Sequence, residues 1–244
     1  MSMVAEEYDR MAALEETMWW YHGLHTNVIN ALAKHGGTFT AVLDAGCGTG
    51  GTLKAIGRHF PNARLHGLDI SEQACAYTRS KTGASALVGS VDALPHADGS
   101  FDALVSCDVL GYRINVDAAL AGFHRVLRPG GICVLNLAAY QWMHSYHDTA
   151  VGQVKRFTRP EGLALLRKHG FKPIFASYWN TLLFPLMVIR RKLLPAPEAS
   201  DVTPFNPMLN NLFKGGVSME SACLRRGIAL PFGGSAFFIA QRVR

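Results

Sequence analysis

The stretch Val-Leu-Asp-Ala-Gly-Cys-Gly-Thr-Gly-Gly, residues 42–51, constrains what this chain can fold into more than any other. A short apolar run over 40–43 leads to the acid Asp44. Glycines then stand at alternate positions, Gly46, Gly48 and Gly50, and a helix-like segment fills 51–60. The pattern predicts strand, bare loop, helix. Glycine is needed where the backbone takes positive φ or where a ligand must approach without a Cβ in the way, and a ligand resting there also meets the free N–H groups that open the next helix. The loop therefore points to a nucleotide-like ligand. Gly46, Gly48 and Gly51 also satisfy the dinucleotide fingerprint G-x-G-x-x-G, so a nicotinamide cofactor stays open at this point.

At 244 residues and 49% hydrophobic composition, the chain has material for one α/β core with an elaboration. Its cysteines (Cys47, Cys75, Cys107, Cys133, Cys223) form no C-x-x-C pair, and most lie in or beside apolar runs, as buried reduced thiols do. That usage predicts a cytoplasmic setting. Residues 1–16 carry Glu6, Glu7, Asp9, Glu15 and Glu16, unlike a signal peptide, and no apolar run approaches the ~20 residues of a membrane span. The net charge of +6 is unevenly placed. Residues 1–139 hold 10 Lys+Arg against 13 Asp+Glu, a net of −3, and residues 140–244 hold 14 against 5, a net of +9. The basic excess in the second part suits an anionic substrate or surface, or simply a solvated basic face.

In chain order, 6–35 reads as one helix with Trp19, Trp20 and Tyr21 at its middle, placed either to pack on the core or to close a ligand mouth. The helix breaks at Gly36-Gly37. His22 and His25 lie one turn apart with no third ligand, so no metal is expected. A second strand over 64–68 ends in Asp69, where a ribose diol is gripped, because a carboxylate accepts two hydroxyl hydrogen bonds at once. Ser71 is a good N-cap for a helix over 71–81. After a strand at 86–88 comes Asp92, suited to accept from an exocyclic amine such as adenine N6, an acid the dinucleotide fingerprint does not ask for. A buried strand over 103–107 ends at Asp108, a helix fills 116–127, and Arg128-Pro129-Gly130-Gly131 turns into a strand at 132–137. Right-handed crossovers then give a parallel sheet wound on both faces, with ligands above the carboxyl ends of the strands.

With these residues on the page the chain resembles the class I S-adenosylmethionine-dependent methyltransferases. The motifs are Leu43-Asp44-Ala45-Gly46-Cys47-Gly48-Thr49-Gly50, Gly67-Leu68-Asp69-Ile70-Ser71, Asp92-Ala93-Leu94-Pro95, Phe101-Asp102, Asp108-Val109-Leu110 and Arg125-Val126-Leu127-Arg128-Pro129-Gly130-Gly131, in the expected order over about 40–137. The resemblance implies S-adenosyl-L-methionine as cofactor. It sets Gly46, Cys47, Gly48 and Gly50 against the methionine part, Asp69 on the ribose, Asp92 on the adenine and Asp108 near the methionine. Trp20, Ile70, Val91, Ala93 and Cys107 complete the expected cofactor wall. It also implies a Rossmann-like, doubly wound seven-stranded α/β sheet, mostly parallel with an antiparallel last strand, plus a helical cap insertion. Read as a single methyltransferase domain over 1–244, the chain divides into an N-terminal helical lid at 1–37, a core at 38–178 and 235–244, and a cap insertion at 179–234. Many relatives carry a histidine just after the fourth strand where this chain has Gly111-Tyr112-Arg113, so no catalytic role is carried to that spot.

Methyl transfer from a sulfonium needs alignment and exclusion of water, and a base only if the acceptor loses a proton as it attacks. The segment 140–148, read as a loop over the cofactor, offers His147 as base with Asp148 to orient it, and His144 as a further catalytic candidate. Tyr21, Tyr112, Tyr146, Arg156, Trp179 and Asn180 are the candidate substrate residues, Arg156 with Lys155, Arg159 and Phe157 suiting a phosphate or carboxylate. The apolar run 182–189, followed by Arg190-Arg191-Lys192, reads as a buried helix or pocket wall ahead of an interfacial anchor, so peripheral membrane contact is the lesser reading. These features, similar to a poorly characterised bacterial group of type 11/12-like methyltransferases, give an expected small, fairly apolar, anionic metabolite or natural-product intermediate as substrate. The competing readings are a membrane-associated lipid or isoprenoid acceptor, a non-catalytic S-adenosylmethionine-binding protein, and a nicotinamide oxidoreductase. No nucleic acid partner is expected, since the fourth strand is followed by no N-P-P-[YF] tetrad, and the sequence is silent on oligomeric state.

Overall fold

The computed structural model describes residues 5–35, 37–195 and 205–243, and its chain begins with two helices, α1 (Ala5–Leu14) and α2 (Trp19–His35). The single helix expected over 6–35 is therefore broken. The cause is tertiary: Glu15 is buried, and its carboxylate accepts from Thr49 Oγ1 at 2.7 Å and Gly51 N at 3.0 Å while pairing with Lys81. That turn brings the start of the chain over the Gly loop.

β1 (Ala41–Ala45), α3 (Gly51–His59), β2 (Arg64–Asp69), α4 (Glu72–Thr82) and β3 (Ser85–Val88) follow. Ser71 caps α4 by accepting from Ala74 N at 3.3 Å, and Gly83 ends it in the left-handed conformation. The connection from β3 to β4 (Phe101–Cys107) carries no helix. Then come α5 (Val116–Val126), β5 (Leu127–Ala138), α6 (Tyr146–Val151), α7 (Arg159–Lys168) and β6 (Phe171–Trp179). α7 starts with a reciprocal cap between Thr158 and Glu161. Between β6 and β7 (Ser235–Arg242) lie α8 (Phe184–Val188), a π turn at Ile189–Leu193, and α9 (Pro207–Arg225).

The sheet order is β3-β2-β1-β4-β5-β7-β6, parallel except where β7 pairs antiparallel with β5 and β6. β7 is thus an inner strand, which explains why Ser235-Ala236-Phe237-Phe238-Ile239-Ala240 is buried at every position and shows no alternation. One apolar cluster, including Leu104, Phe123, Leu135 and Phe238, fills one face of the sheet; another, including Leu32, Val105, Trp179 and Val217, fills the other. The ligand end of the sheet, above the carboxyl ends of β1, β2 and β4, is left to the Gly loop and the two added helical regions.

Two expectations change here. Residues 140–148 are not a loop: a 3₁₀ turn covers Gln141–Met143 and His147 and Asp148 sit on α6. The run 182–189 serves as the expected pocket wall rather than as a buried helix, Leu183, Leu186 and Met187 lining the cavity described below. Phe184 is buried, but Leu182, Leu186 and Ile189 are exposed, as are Leu193 and Leu194 beyond them. Of the expected divisions, residues 1–4 of the lid, Gly36 of the Gly36-Gly37 break, residues 196–204 of the cap insertion and Arg244 of the last core segment lie outside the described residues. No helix among the described residues is long and apolar enough to cross a membrane.

Candidate functional site

The Gly loop has the backbone its composition predicts. Gly46, Gly48 and Gly50 have φ of 88°, 51° and 90°, and a Cβ on Gly46 would come within 2.1 Å of Val109 Cγ2. The loop is tied to β2, since Gly46 N and Cys47 N both donate to Leu68 O, at 2.7 and 3.0 Å. At the tip of β2 the Asp69 carboxylate accepts from Gly48 N and Ser71 N, each at 3.0 Å, and from Tyr8 Oη at 3.4 Å. Burial pushes its pKa above the ordinary carboxylate range, against the pull of those N–H groups. Asp44, beneath the loop, is raised well above that range by burial and then by the charges of Asp69 and Glu15. A cluster of partly frustrated carboxylates beside a bare loop is an environment that favours a cationic, hydroxyl-bearing ligand.

Asp108, directly after β4, has φ of 58°, unusual for a residue with a Cβ. Its N–H donates to Asn136 O at 2.7 Å and its Oδ2 accepts from Asn136 Nδ2 at 2.9 Å, while Asn136 Oδ1 accepts from the fully buried Trp179 Nε1 at 2.7 Å. Burial, opposed by Asn136 and the Arg156 charge, leaves the Asp108 carboxyl pushed up to about 7. A carboxyl raised on folding contributes stability below its unfolded pKa that is lost as pH rises through the folded value. In urea unfolding of the ligand-free protein, the stability of the wild type relative to Asp108→Asn should therefore fall between pH ~4 and ~8, by at most about 4 kcal/mol. Parallel profiles for the two proteins would contradict this.

A cavity of about 760 Å³ runs from the Gly loop to the cap. Of the expected cofactor residues, Trp20, Gly46, Cys47, Gly48, Asp69, Ile70, Val91, Cys107 and Asp108 line it. Gly50 lies outside it, shaping the turn as the residue before α3. Asp92 also lies outside: its carboxylate accepts from Ser90 Oγ at 2.5 Å and Asn115 N at 2.9 Å, and Gly89, Ser90 and Val91 form that part of the wall instead, with Ala93 exposed beyond it.

Of the expected substrate residues Tyr21, Tyr112, Arg156 and Asn180 line the cavity. Tyr146 and Trp179 do not: the first lies against the Arg190 guanidinium at 5.5 Å, and the second backs Trp20 at 5.9 Å between ring centres. His147 lines the cavity. His144 is drawn away, its Nε2 3.1 Å from Gln153 O. Asp148 is fully buried and holds Arg156, its Oδ1 accepting from Nε at 2.7 Å and its Oδ2 from Nη2 at 3.1 Å, with Ser145 N at 2.9 Å. Arg156 Nη1 is also taken, by Ala139 O at 3.1 Å. The expected cluster of basic residues opens out, Lys155 stacking over Phe157 and Arg159 over Tyr178.

Sequence reading missed Tyr8, Met11 and Glu15, which reach the site only because the lid folds back, and Asn136, the one polar residue in the run Ile132-Cys133-Val134-Leu135-Asn136-Leu137. A buried amide amid a strand's apolar run was a usable signal. The residues present fit S-adenosylmethionine: the bare loop, which a Cβ at Gly46 would fill, the N-terminal end of α3 and the Asp69 carboxylate face one cavity.

Comparison with known proteins agrees with the geometry. A family model described as a methyltransferase domain matches residues 43–135. The chain is 26% identical over 186 residues to a malonyl-[acyl-carrier protein] O-methyltransferase of Geobacter sulfurreducens, an alignment covering 70% of this chain and 67% of that one. The matched stretch is 24 to 67% of the length of the first curated relatives compared. In fold it is similar to a chain from the solved complex of the Haloferax volcanii Trm112 methyltransferase activator with its methyltransferase partner, with a TM-score of 0.64 at 22% identity over 98% of each chain. It is likewise similar to geranyl diphosphate C-methyltransferase of Streptomyces coelicolor, solved with Mg²⁺, geranyl-S-thiolodiphosphate and S-adenosyl-L-homocysteine, with a TM-score of 0.59 at 15% identity over 88% of this chain and 75% of that one.

Proposed function

We propose that this chain, which matches a methyltransferase domain over residues 43–135, is a class I S-adenosylmethionine-dependent methyltransferase and that it methylates a small, largely apolar acceptor bearing an anionic group. The observation that carries the proposal is the two-part lining of the cavity. Gly46, Gly48, Asp69 and Val91 of the strand-tip loops line one part of it, and Leu183, Met187 and Phe213 of the cap segments line another together with Arg190. The cofactor, when bound, supplies a methyl group already activated on a sulfonium. The protein's work is then to orient, to exclude water and to manage a proton where the acceptor has one.

In this proposal Asp69 holds the ribose hydroxyls, the exposed Ile70 side chain and Val91 border the adenine, and Asp108 faces the methionine. Trp20 and Tyr21 cover the junction of the two compartments, Trp20 backed by Trp179 and Tyr21 packed edge-on to Trp20 at 5.1 Å. Arg190 attracts the acceptor's anionic group. Arg156 is compensated by Asp148 and acts as a fixed wall. His147 takes the acceptor proton where there is one. If so, His147→Ala should lower turnover by about 10²-fold or more without changing S-adenosylhomocysteine affinity. A wild-type rate with a protic acceptor would remove His147 from the mechanism. The reading as a whole is tested by presenting methyl-labelled cofactor with a panel of apolar carboxylates, phosphates, amines and phenols. Transfer confined to the amines and phenols that carry no anionic group would contradict it.

A further inference from the structure

The cap carries an apolar face that nothing in the described chain covers. On α9, Met208, Leu212 and Met219 point outward at spacings of four and seven, and they are 83%, 67% and 68% exposed. The opposite side of the same helix, Val217 and Leu224, is buried, and Glu220 there accepts from Thr181 N and Leu182 N at 3.0 and 2.8 Å. The outward stripe is therefore surplus to packing. Across from it Leu182, Leu186, Ile189, Leu193 and Leu194 are also exposed, and a Cβ on Gly216 of α9 would lie 3.7 Å from Leu182, so the two segments adjoin. Contiguous exposed apolar surface on this scale marks an interaction site.

Charge narrows the partner. Exposed Lys192 lies in the π turn beside Arg190 and Arg191, which are half-buried at the cavity, and Lys214 lies on α9. Over 182–219 the sequence holds four Lys+Arg against two acids, Glu198 and Asp201, which lie outside the described residues. A second copy of the chain laid on this face by a two-fold axis would bring the basic residues of both copies together at the cost of like-charge repulsion. An anionic lipid surface matches both features: acyl chains take the leucines and methionines, and the headgroups take the basic residues. The face is also continuous with the site, since Leu186 and Phe205, 54% and 36% exposed, line the cavity as well.

We propose that the exposed face of α8, the π turn and α9 docks peripherally on an anionic bilayer, with the mouth of the cavity turned toward the lipid. This goes beyond the methyl-transfer reading and stands or falls independently of it. Neither helix spans the membrane, and the contact is interfacial.

Flotation of the full chain with phosphatidylcholine vesicles, and with vesicles containing about one third phosphatidylglycerol, tests this. The wild type should float with the anionic vesicles, weakly with the neutral ones, and should be released by about 0.5 M salt. The double variant Met208→Glu/Leu212→Glu, and separately Leu193→Glu, should each reduce anionic-vesicle binding by about tenfold or more, with thermal unfolding and S-adenosylhomocysteine affinity unchanged. A wild type that stays with neither vesicle would overturn the proposal, as would variants that float like the wild type. So would a wild-type dimer that these substitutions dissociate without any vesicle binding, because the face would then belong to a second copy.

Discussion

Asp69→Ala is expected to weaken S-adenosylhomocysteine binding by about 100-fold. In the proposed placement the carboxylate at the tip of β2 receives two ribose hydroxyls, and losing two hydrogen bonds to a charged acceptor in a shielded site amounts to roughly 3 kcal/mol. The same oxygens also hold Gly48 N and Ser71 N, so the loop itself loosens. Thermal unfolding of the same variant, in which Gly48 N, Ser71 N and Tyr8 Oη lose their acceptor, separates a loosened fold from lost ligand contacts. Asp69→Asn should fall between the two proteins. Titration calorimetry at constant salt gives the answer, and an unchanged affinity in Asp69→Ala would refute the ribose placement.

Arg156→Met should destabilise the protein by about 3–5 kcal/mol, since it leaves the fully buried Asp148 carboxylate without its guanidinium. In melting temperature that is a drop of about 10 °C for a domain of this size. Burial alone would raise the Asp148 pKa, but hydrogen bonding and charge from Arg156 outweigh it and hold the group below the ordinary carboxylate range. A depressed carboxyl contributes stability that is present at neutral pH and lost as pH falls through its folded value, so the deficit of Arg156→Met should shrink in acid. The double variant Arg156→Met/Asp148→Leu should recover much of the loss, as apolar replacement of a buried pair often does. Equal urea midpoints for wild type and Arg156→Met at neutral pH would contradict the account.

Much of the fold was legible because its cues are local. Gly46, Gly48 and Gly50 allow the positive φ that the loop adopts, Ser71 can cap a helix with its own side chain, and the acids at the strand tips follow from spacing along the chain. The rest depends on partners distant in sequence or on which side of an element meets the core. Glu15 breaks the N-terminal helix because Thr49 and Gly51 await it 34 and 36 residues away. Asp148 next to His147 reads as a catalytic pair, yet neighbours on a helix point in different directions and Asp148 answers to Arg156. Asp92 is consumed by Ser90 and the first turn of α5. The run 182–189 was apolar enough to be core, and only the fold reveals that Leu182, Leu186 and Ile189 face outward. Composition says that a surface is apolar but not which surface it meets.

The most direct test of the central claim is calorimetric titration of the wild-type chain with S-adenosylhomocysteine and, separately, with NADH. The account predicts one saturable site for S-adenosylhomocysteine, weakened about 100-fold in Asp69→Ala, and no binding of NADH. Binding of NADH without binding of S-adenosylhomocysteine would contradict it, and the Gly loop would then be serving a dinucleotide.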